Sequence, residues 1–131
     1  MSAAGPALQA AAMEKVAGAE GAGGVYPGPP LQAALPYAVV ETGPETDWSH
    51  KSGAGREVRL AVVVRAGGER PDRAQALAAA AEAAVGGGLE PDGWRVVTLA
   101  FLRSRCVRDG RGDAAAWAVT IEYRARMLAA G

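Results

Sequence analysis

One stretch near the C-terminal end decides the fold, residues 94–127, which reads WRVVTLAFLRSRCVRDGRGDAAAWAVTIEYRARM. Two runs of alternating apolar residues flank Asp109-Gly110-Arg111-Gly112-Asp113. An Asp-Gly pair between such runs is typical of a tight hairpin turn, because glycine accepts the positive φ that the turn demands. We therefore predict two long strands, from about Trp94 to Val107 and from about Ala114 to Met127.

The two predicted strands each have an apolar face, because successive side chains of a strand point to opposite sides. The first strand alternates weakly, with Val97, Leu99 and Phe101 against Thr98 and Ala100. The second strand alternates clearly and places on one face Trp117, Val119, Ile121, Tyr123, Ala125 and Met127. Its other face carries Ala118, Thr120, Glu122, Arg124 and Arg126. We expect the rest of the chain to cover the apolar side of this platform.

Length and composition predict a single domain over residues 1–131. Half of the residues are hydrophobic, but many of these are alanine, which buries little area. A thin core of this kind favours stabilisation by oligomerisation. The 14 basic and 14 acidic residues balance, so charge does not direct the chain to nucleic acid or to an anionic membrane.

The cellular compartment is predicted from the absence of disulfides, membrane spans and a secretory signal in the sequence. Cys106 is the one cysteine, so an internal disulfide is excluded. No apolar run approaches the roughly 20 residues of a membrane span, and the N-terminal residues do not have the pattern of a secretory signal. These features predict a soluble protein made in the cytoplasm.

The segment before the hairpin is predicted to hold two helices and two strands. The first helix, from Pro6 to about Ala19, has an apolar stripe of Leu8, Ala12 and Val16 with Ala11 beside it. The second helix begins at Pro71, which suits a first turn, and ends near Val85 before three glycines. Its stripe consists of Ala74, Leu77, Ala78, Ala81, Ala84 and Val85.

Between the two predicted helices lie a connector, two strands and a loop. The connector, Gly21–Pro36, is rich in glycine and proline. The strands are Tyr37–Gly43 and Arg56–Ala66, and Val58, Leu60, Val62 and Val64 alternate in the second of them. Glu41–Gly55 is predicted to be a long loop, or a flap that extends a hairpin. The order helix, strand, strand, helix, strand, strand predicts an α+β domain, with a mainly antiparallel sheet of about four strands and both helices on one face.

The sequence carries no convincing catalytic, cofactor or metal site. His50 lies near Glu45 and Asp47, but a zinc site needs three or four ligands on a rigid framework. No histidine pairs with a cysteine or serine in a pattern typical of a nucleophile. The glycine-rich connector lacks the Gly-Lys-Ser/Thr of a phosphate-binding loop. Arg111-Gly112-Asp113 has the sequence of a well-known adhesion tripeptide, but in a predicted hairpin turn the same residues serve turn geometry and solubility.

Candidate interface residues fall into two groups. Arg103, Arg105, Arg108 and Arg111 lie towards the predicted hairpin tip, where they either contact phosphate or an acidic protein surface or are solvated as a strand end. Trp48 lies in a polar, glycine-bearing segment, where it either folds back on the core or anchors a neighbouring chain. Beside it in sequence are His50, Lys51 and Arg56, which complete the predicted interface set.

Several segments, in their order and spacing, resemble the small tail-completion or tail-terminator proteins of long-tailed phages and of phage-derived gene transfer agents. In the first half of the chain they are Ala7-Leu8-Gln9-Ala10, Val25-Tyr26-Pro27, Leu35-Pro36-Tyr37-Ala38-Val39-Val40 and Thr46-Asp47-Trp48-Ser49 with Lys51. In the second half they are Gly55-Arg56-Glu57-Val58-Arg59-Leu60 and Arg103-Ser104-Arg105 with Arg108-Asp109-Gly110. The resemblance covers Pro6 to Met127.

The resemblance implies a structural protein without catalytic activity or cofactor, in a hexameric ring at the head-proximal end of the tail tube. It implies contacts with the major tail-tube protein and with a head-completion or stopper protein of the neck. DNA would pass through the ring only in transit, and no membrane would be involved. The ring would assemble in the bacterial cytoplasm and become part of the tailed particle. The alternatives are another head–tail connector, such as a stopper or adaptor, and a small α+β module that binds a ligand or nucleic acid.

Overall fold

The computed structural model describes residues 3–110 and 116–130. Within these residues two helices and five strands follow each other in sequence. They are α1 (Ala4–Ala17), β1 (Gly24–Tyr26), β2 (Tyr37–Asp47), β3 (Gly55–Ala66), α2 (Asp72–Gly86), β4 (Trp94–Asp109) and β5 (Ala116–Ala129). The α+β class is as predicted, and both helices lie within two residues of their predicted bounds. Neither described helix is long and apolar enough to cross a membrane.

The sheet has five strands in the order β1-β2-β3-β5-β4, one more than predicted. All neighbours are antiparallel except β1 and β2, which are parallel. The additional strand, β1, lies inside the connector that was predicted to hold no element. Its three residues pair with Tyr37 to Val39, and Tyr26 meets the Tyr37 ring edge-on at 5.9 Å. A strand of three residues is too short to show a period of two, so only its partner reveals it.

The apolar faces of β3 and β5 are confirmed. Val58, Leu60, Val62 and Val64 are buried on β3, and they lie opposite a buried row on β5 that consists of Val119, Ile121, Tyr123, Ala125 and Met127. Trp117, predicted for the same row, is only partly buried, and its Nε1 donates to the carbonyl of Gly68 at 3.1 Å. The turn predicted from Asp109 to Asp113 lies largely outside the described residues.

Strand β4 departs from the simple alternation predicted for it. Its pairing with β5 shifts register between Val96 and Thr98 and again between Phe101 and Arg103. Val96, and not Val97, therefore takes the position opposite Met127. Each bulge inserts one residue and increases the local twist, which is common at the outer strand of a sheet. The weak alternation of this segment reflects these two insertions.

The segment Glu41–Gly55 is a flap and not a long loop. Strand β2 continues to Asp47, β3 begins at Gly55, and the Trp48 amide donates to the Gly55 carbonyl at 2.9 Å. His50 and Gly53 then exchange two backbone hydrogen bonds at the tip. A register shift between Thr42 and Glu45 accommodates Gly43 and Pro44. The hydrophobic period did not predict that the strands extend this far, because the extensions consist of polar residues, glycine and proline.

The core lies between the two helices and one face of the sheet. The α1 stripe is confirmed, since Leu8, Ala12 and Val16 are fully buried. On α2 the buried positions are Ala74, Ala78, Ala81 and Val85, while Leu77 and Ala84 are only partly covered. Alanine at these positions lets both helices lie close to the strands. Neither described helix covers the opposite face of the sheet.

Candidate assembly surfaces

The uncovered side of the sheet, here called the open face, carries most of the charged residues of β3, β4 and β5. Because Val58 and Leu60 face the helices, Glu57 and Arg59 must face the other way. Arg126 on β5 donates to Glu57 at 2.9 Å, and the Arg124 guanidinium lies 3.8 Å from the same carboxylate. Arg103 on β4 donates to Glu122 on β5. The open face is therefore a network of charges that crosses three strands.

Arg65 extends this network across the sheet. Its guanidinium lies 3.1 Å from the Asp109 carboxylate on β4, although β5 separates the two strands. The contact is feasible because the β5 residues at this level, Ala116 and Ala118, are small and buried. Arg65 also donates to the Tyr37 hydroxyl at 2.6 Å. One side chain thus links β2, β3 and β4.

The flap comprises the turn from Trp48 to Ala54 with the ends of β2 and β3. The half-buried Trp48 ring contacts the His50 ring edge-on at 4.5 Å, and the Arg126 guanidinium lies 5.8 Å from its centroid. The Ser49 hydroxyl donates to Asp47 at 2.6 Å and accepts from the Gly55 amide at 3.1 Å. Trp48 therefore rests on the open face and is not inserted into the core.

The other predicted interface residues of the flap do not all lie together. His50 and Lys51 are exposed at the tip. Arg56 lies opposite Met127, on the helix side of the sheet, with its guanidinium 3.9 Å from Glu45. Glu45 in turn accepts from the Gly5 amide of α1 at 2.9 Å. The structure thus brings Trp48 and His50 together and places Arg56 beside the start of α1.

The predicted arginine cluster is divided between the two faces. Arg103 and Arg105 lie opposite Glu122 and Thr120, which places them on the open face. Arg108 lies opposite Trp117 and covers that ring on the helix side, at 5.7 Å from its centroid. Arg111 lies outside the described residues. Proximity in sequence grouped these residues, but a strand sends odd and even positions to opposite sides.

Strand β4 forms one outer edge of the sheet, here called the β4 edge. It is 16 residues long and therefore spans roughly 50 Å of chain. Large apolar side chains along it are exposed, namely Val97, Phe101, Leu102 and Val107. Outer strands present unpaired backbone groups, so a long exposed edge is a natural site for a neighbouring chain. The sequence identified β4 as a strand, but not as the outer one.

A groove of about 390 Å³ runs between the end of α2 and β4. Glu82 and Leu89 line its helix side, and Leu99 and Phe101 line its strand side. At its base the Tyr123 hydroxyl is buried, with no hydrogen-bond partner in the described part of the chain. Burial raises the pKa of Tyr123 to about 12, and the nearby Glu82 charge adds to the effect. The groove exists because α2 packs on β3 and β5 and stops short of covering β4.

On the open face, ion pairing shifts the pKa of Glu122 downward, which is opposite to the shift of Tyr123. The hydrogen bond from Arg103 lowers the pKa of Glu122, and it raises the pKa of Arg103. Across residues 3–110 and 116–130 no group of three His, Cys, Asp or Glu side chains is placed to hold a metal ion.

Comparison with known proteins identifies the family of this chain. Residues 6–128 match the family described as Tail completion protein gp17. A chain in the solved structure described as "Virion of native gene transfer agent (GTA) particle" has a TM-score of 0.73 and 30% sequence identity. That likeness covers 94% of this chain and 96% of the other. A search of curated proteins finds no match. The chain belongs to the tail completion protein gp17 family.

Proposed function

We propose that this protein, a structural component of a phage-type tail, forms a ring at the head-proximal end of the tail tube. The ring ends polymerisation of the tube and joins the tail to the head or neck. Six copies is the number implied by the resemblance to tail terminators. Assembly takes place in the bacterial cytoplasm, and the product is a tailed particle, either a virion or a gene transfer agent.

One observation carries the proposal: the sheet is not completed within one chain. The β4 edge exposes four large apolar side chains over its length, and neither helix in the described part of the chain covers the open face. A contact between two different surfaces of identical chains closes into a ring when its rotation divides a full turn. Family membership and the structural match to a chain of a gene transfer agent virion support the same conclusion.

The mechanism of such a ring is geometric and needs no catalysis. One side of the ring reproduces the contacts that a tail-tube subunit would make and binds the last ring of the tube. The other side lacks those contacts, so no further tube ring is added, and a head-completion or stopper protein binds there. DNA crosses the lumen only in transit, and we propose that Trp48 and the exposed arginines contribute to contacts between proteins.

Oligomeric state tests the ring directly. The purified protein is measured by sedimentation velocity and negative-stain microscopy, alone and mixed with the major tail-tube protein. We expect closed rings of one size in at least the mixture, seated at one end of the tubes. A strict monomer under both conditions would overturn the proposal.

Deletion of the gene in a producing strain tests the position in the particle. A terminator that is missing leaves tubes of uncontrolled length and heads without tails. Tubes of normal length that fail to join heads would instead identify a stopper or adaptor. A salt-dependent mobility shift of DNA by a ring-free protein would favour the nucleic-acid-binding alternative.

A further inference from the structure

The neutral chain separates its charge across the sheet. Strand β2 has Glu41, Glu45 and Asp47 and no basic residue, so its net charge is −3. Strand β4 has four arginines against Asp109, so its net charge is +3. With the short β1, β2 forms the opposite side of the sheet, here called the β1–β2 edge. Two sides of one sheet therefore carry equal and opposite charge.

The exposed apolar side chains follow the same division. In the described residues six large apolar side chains are exposed, four of them on β4 and two in the segment between β1 and β2. Leu31 and Leu35 belong to the segment between β1 and β2, and Leu31 is fully exposed. The other four lie on β4: Val97, Phe101, Leu102 and Val107. The β4 edge thus combines apolar surface with positive charge, and the acidic β2 is preceded by a segment with two exposed leucines.

Several charged residues of β2 and β4 have no ion pair within the described residues, and Glu41 and Arg105 are among them. Glu41 lies on the open face opposite Ala61, and Arg105 lies on the same face opposite Thr120. Both side chains are exposed. Their neighbours Arg103 and Glu122, by contrast, pair with each other inside the chain. Glu41 and Arg105 are therefore available to a second chain.

We propose that the β4 edge of one copy docks on the β1–β2 edge of the next copy, with Arg105 facing the acidic segment that contains Glu41. The inference rests on the proposed ring and specifies the surfaces that close it. Contact between two β4 edges would bring together two strands that each have a net charge of +3. Contact between two β2 strands would bring together two strands that each have a net charge of −3. Like charges in contact suppress both two-fold arrangements, so the copies are directed head to tail.

Strand direction is compatible with this contact. Strands β2 and β5 run in one direction, and β3 and β4 run in the other. A rotation about an axis parallel to the strands preserves direction, so β4 meets the next β2 antiparallel. Both strands contain register shifts, and Pro44 of β2 has no amide proton to donate. Side-chain charge and apolar contact, and not a continuous backbone ladder, therefore determine the pairing.

Charge reversal and its compensation test the proposal. The variants are Arg105→Glu, Glu41→Arg and the double variant, each studied alone and with the major tail-tube protein. Each single variant places like charges in contact, and we expect the protein concentration needed for half-assembly to rise about tenfold or more. The double variant restores opposite charges at every interface and should assemble within a few-fold of the wild type. Arg73→Glu and Glu14→Arg, on the exposed sides of the helices, are the matched controls.

The outcomes separate this inference from the proposed function. Thermal melts first establish that each variant is folded. Single variants that assemble like the wild type, or a double variant that stays unassembled, overturn the edge pairing and leave the ring intact. A wild-type protein that forms no ring with or without tube protein overturns the proposed function and this inference with it.

Discussion

Neighbouring residues on β5 show how strand alternation decides the chemistry of single side chains. Tyr123 points to the helix side, where burial and the charge of Glu82 raise the pKa of its phenol to about 12. Glu122 points to the open face, where the hydrogen bond from Arg103 lowers the pKa of its carboxyl. The two residues are adjacent in sequence, but their environments are those of opposite surfaces.

The Tyr123 hydroxyl is a desolvated group without a hydrogen bond among the described residues. Tyr123→Phe should therefore leave the free energy of unfolding unchanged or raise it by about 1 kcal/mol, because an unsatisfied hydroxyl is removed. Absorbance at 295 nm should lose the ionisation near pH 12. Because the folded pKa of the phenol lies above the usual value of 10, its ionisation leaves stability unchanged below pH 10 and lowers stability as the pH rises towards 12. A marked destabilisation by this substitution would show that the hydroxyl has a partner.

The Arg103–Glu122 pair should contribute to stability at neutral pH and not in acid. The pKa of Glu122 is below its usual value of 4.5 in the folded state, so its contribution is present above pH 4.5 and is lost as the pH falls through the folded pKa. Glu122→Gln should make the decline of stability below pH 4.5 shallower, measured as urea midpoints against pH. Arg103→Gln should give the same result, because it removes the partner; unchanged slopes for both variants would contradict the pairing.

Among the elements, the flap depends on backbone contact more than on hydrophobic periodicity. A side chain on Gly55 would meet the Trp48 carbonyl oxygen at 2.3 Å, so the two strands approach closely at this position. At the tip, by contrast, a side chain on Gly53 would meet nothing within 4 Å. The two glycines belong to the same turn but have different physical roles.

Substitution of these glycines should separate the roles. Gly55→Ala forces the Trp48 carbonyl away and breaks the hydrogen bond that begins the flap, so we expect a loss of about 1–3 kcal/mol in the free energy of unfolding. Gly53→Ala should stay within about 0.5 kcal/mol of the wild type. Chemical denaturation measures both. Equal effects of the two substitutions would show that close approach at Gly55 is unimportant.

Helix α1 depends on a narrow stripe of contacts with β2 and β3. Leu8 is the largest fully buried side chain of the helix, so Leu8→Ala should leave a cavity and lower the free energy of unfolding by about 2–5 kcal/mol. Leu31→Ala removes the same atoms from a fully exposed position and should change folding stability by less than about 0.5 kcal/mol. Thermal or urea unfolding of the two variants compares them. A small effect at Leu8 would mean that α1 is not part of the cooperative core.

For the whole molecule, the two helices complete one side of the sheet and leave the other side and both edges available. The ion pairs of the open face connect three strands, and Trp48 lies beside them on the same face. The net charge is negative on β2 and positive on β4, at opposite sides of the sheet. Exposed apolar residues lie on β4 and in the segment between β1 and β2. This distribution is the one that the proposed ring requires of its subunits.

Trp48→Ala should therefore weaken assembly more than folding. The ring is half-buried and contacts Arg126 and His50, so its loss should lower the free energy of unfolding by about 1–2 kcal/mol. Sedimentation velocity should show a much larger loss of rings than the melting temperature implies. Trp48→Phe keeps an aromatic ring and should retain rings, and normal rings from Trp48→Ala would exclude the flap as an anchor.

The sequence alone determined the parts of this protein that repeat with a local period. The stripes of both helices and the buried rows of β3 and β5 were predictable, because 3.6-residue and two-residue periods follow from bond geometry and from the need to bury apolar groups. The order of those elements along the chain also predicted the α+β class.

Only the tertiary structure decided which strand lies at the edge, that β1 joins the sheet, and that the arginines of β4 divide between two faces. It also decided that Arg65 reaches Asp109 across β5 and that a groove remains beside α2. These features arise from pairing between segments far apart in sequence, and bulges in β4 shift that pairing by single residues. A local pattern describes which side of a strand is apolar, whereas the identity of the neighbouring strand, and hence the surface left for another chain, depends on contacts that no local pattern encodes.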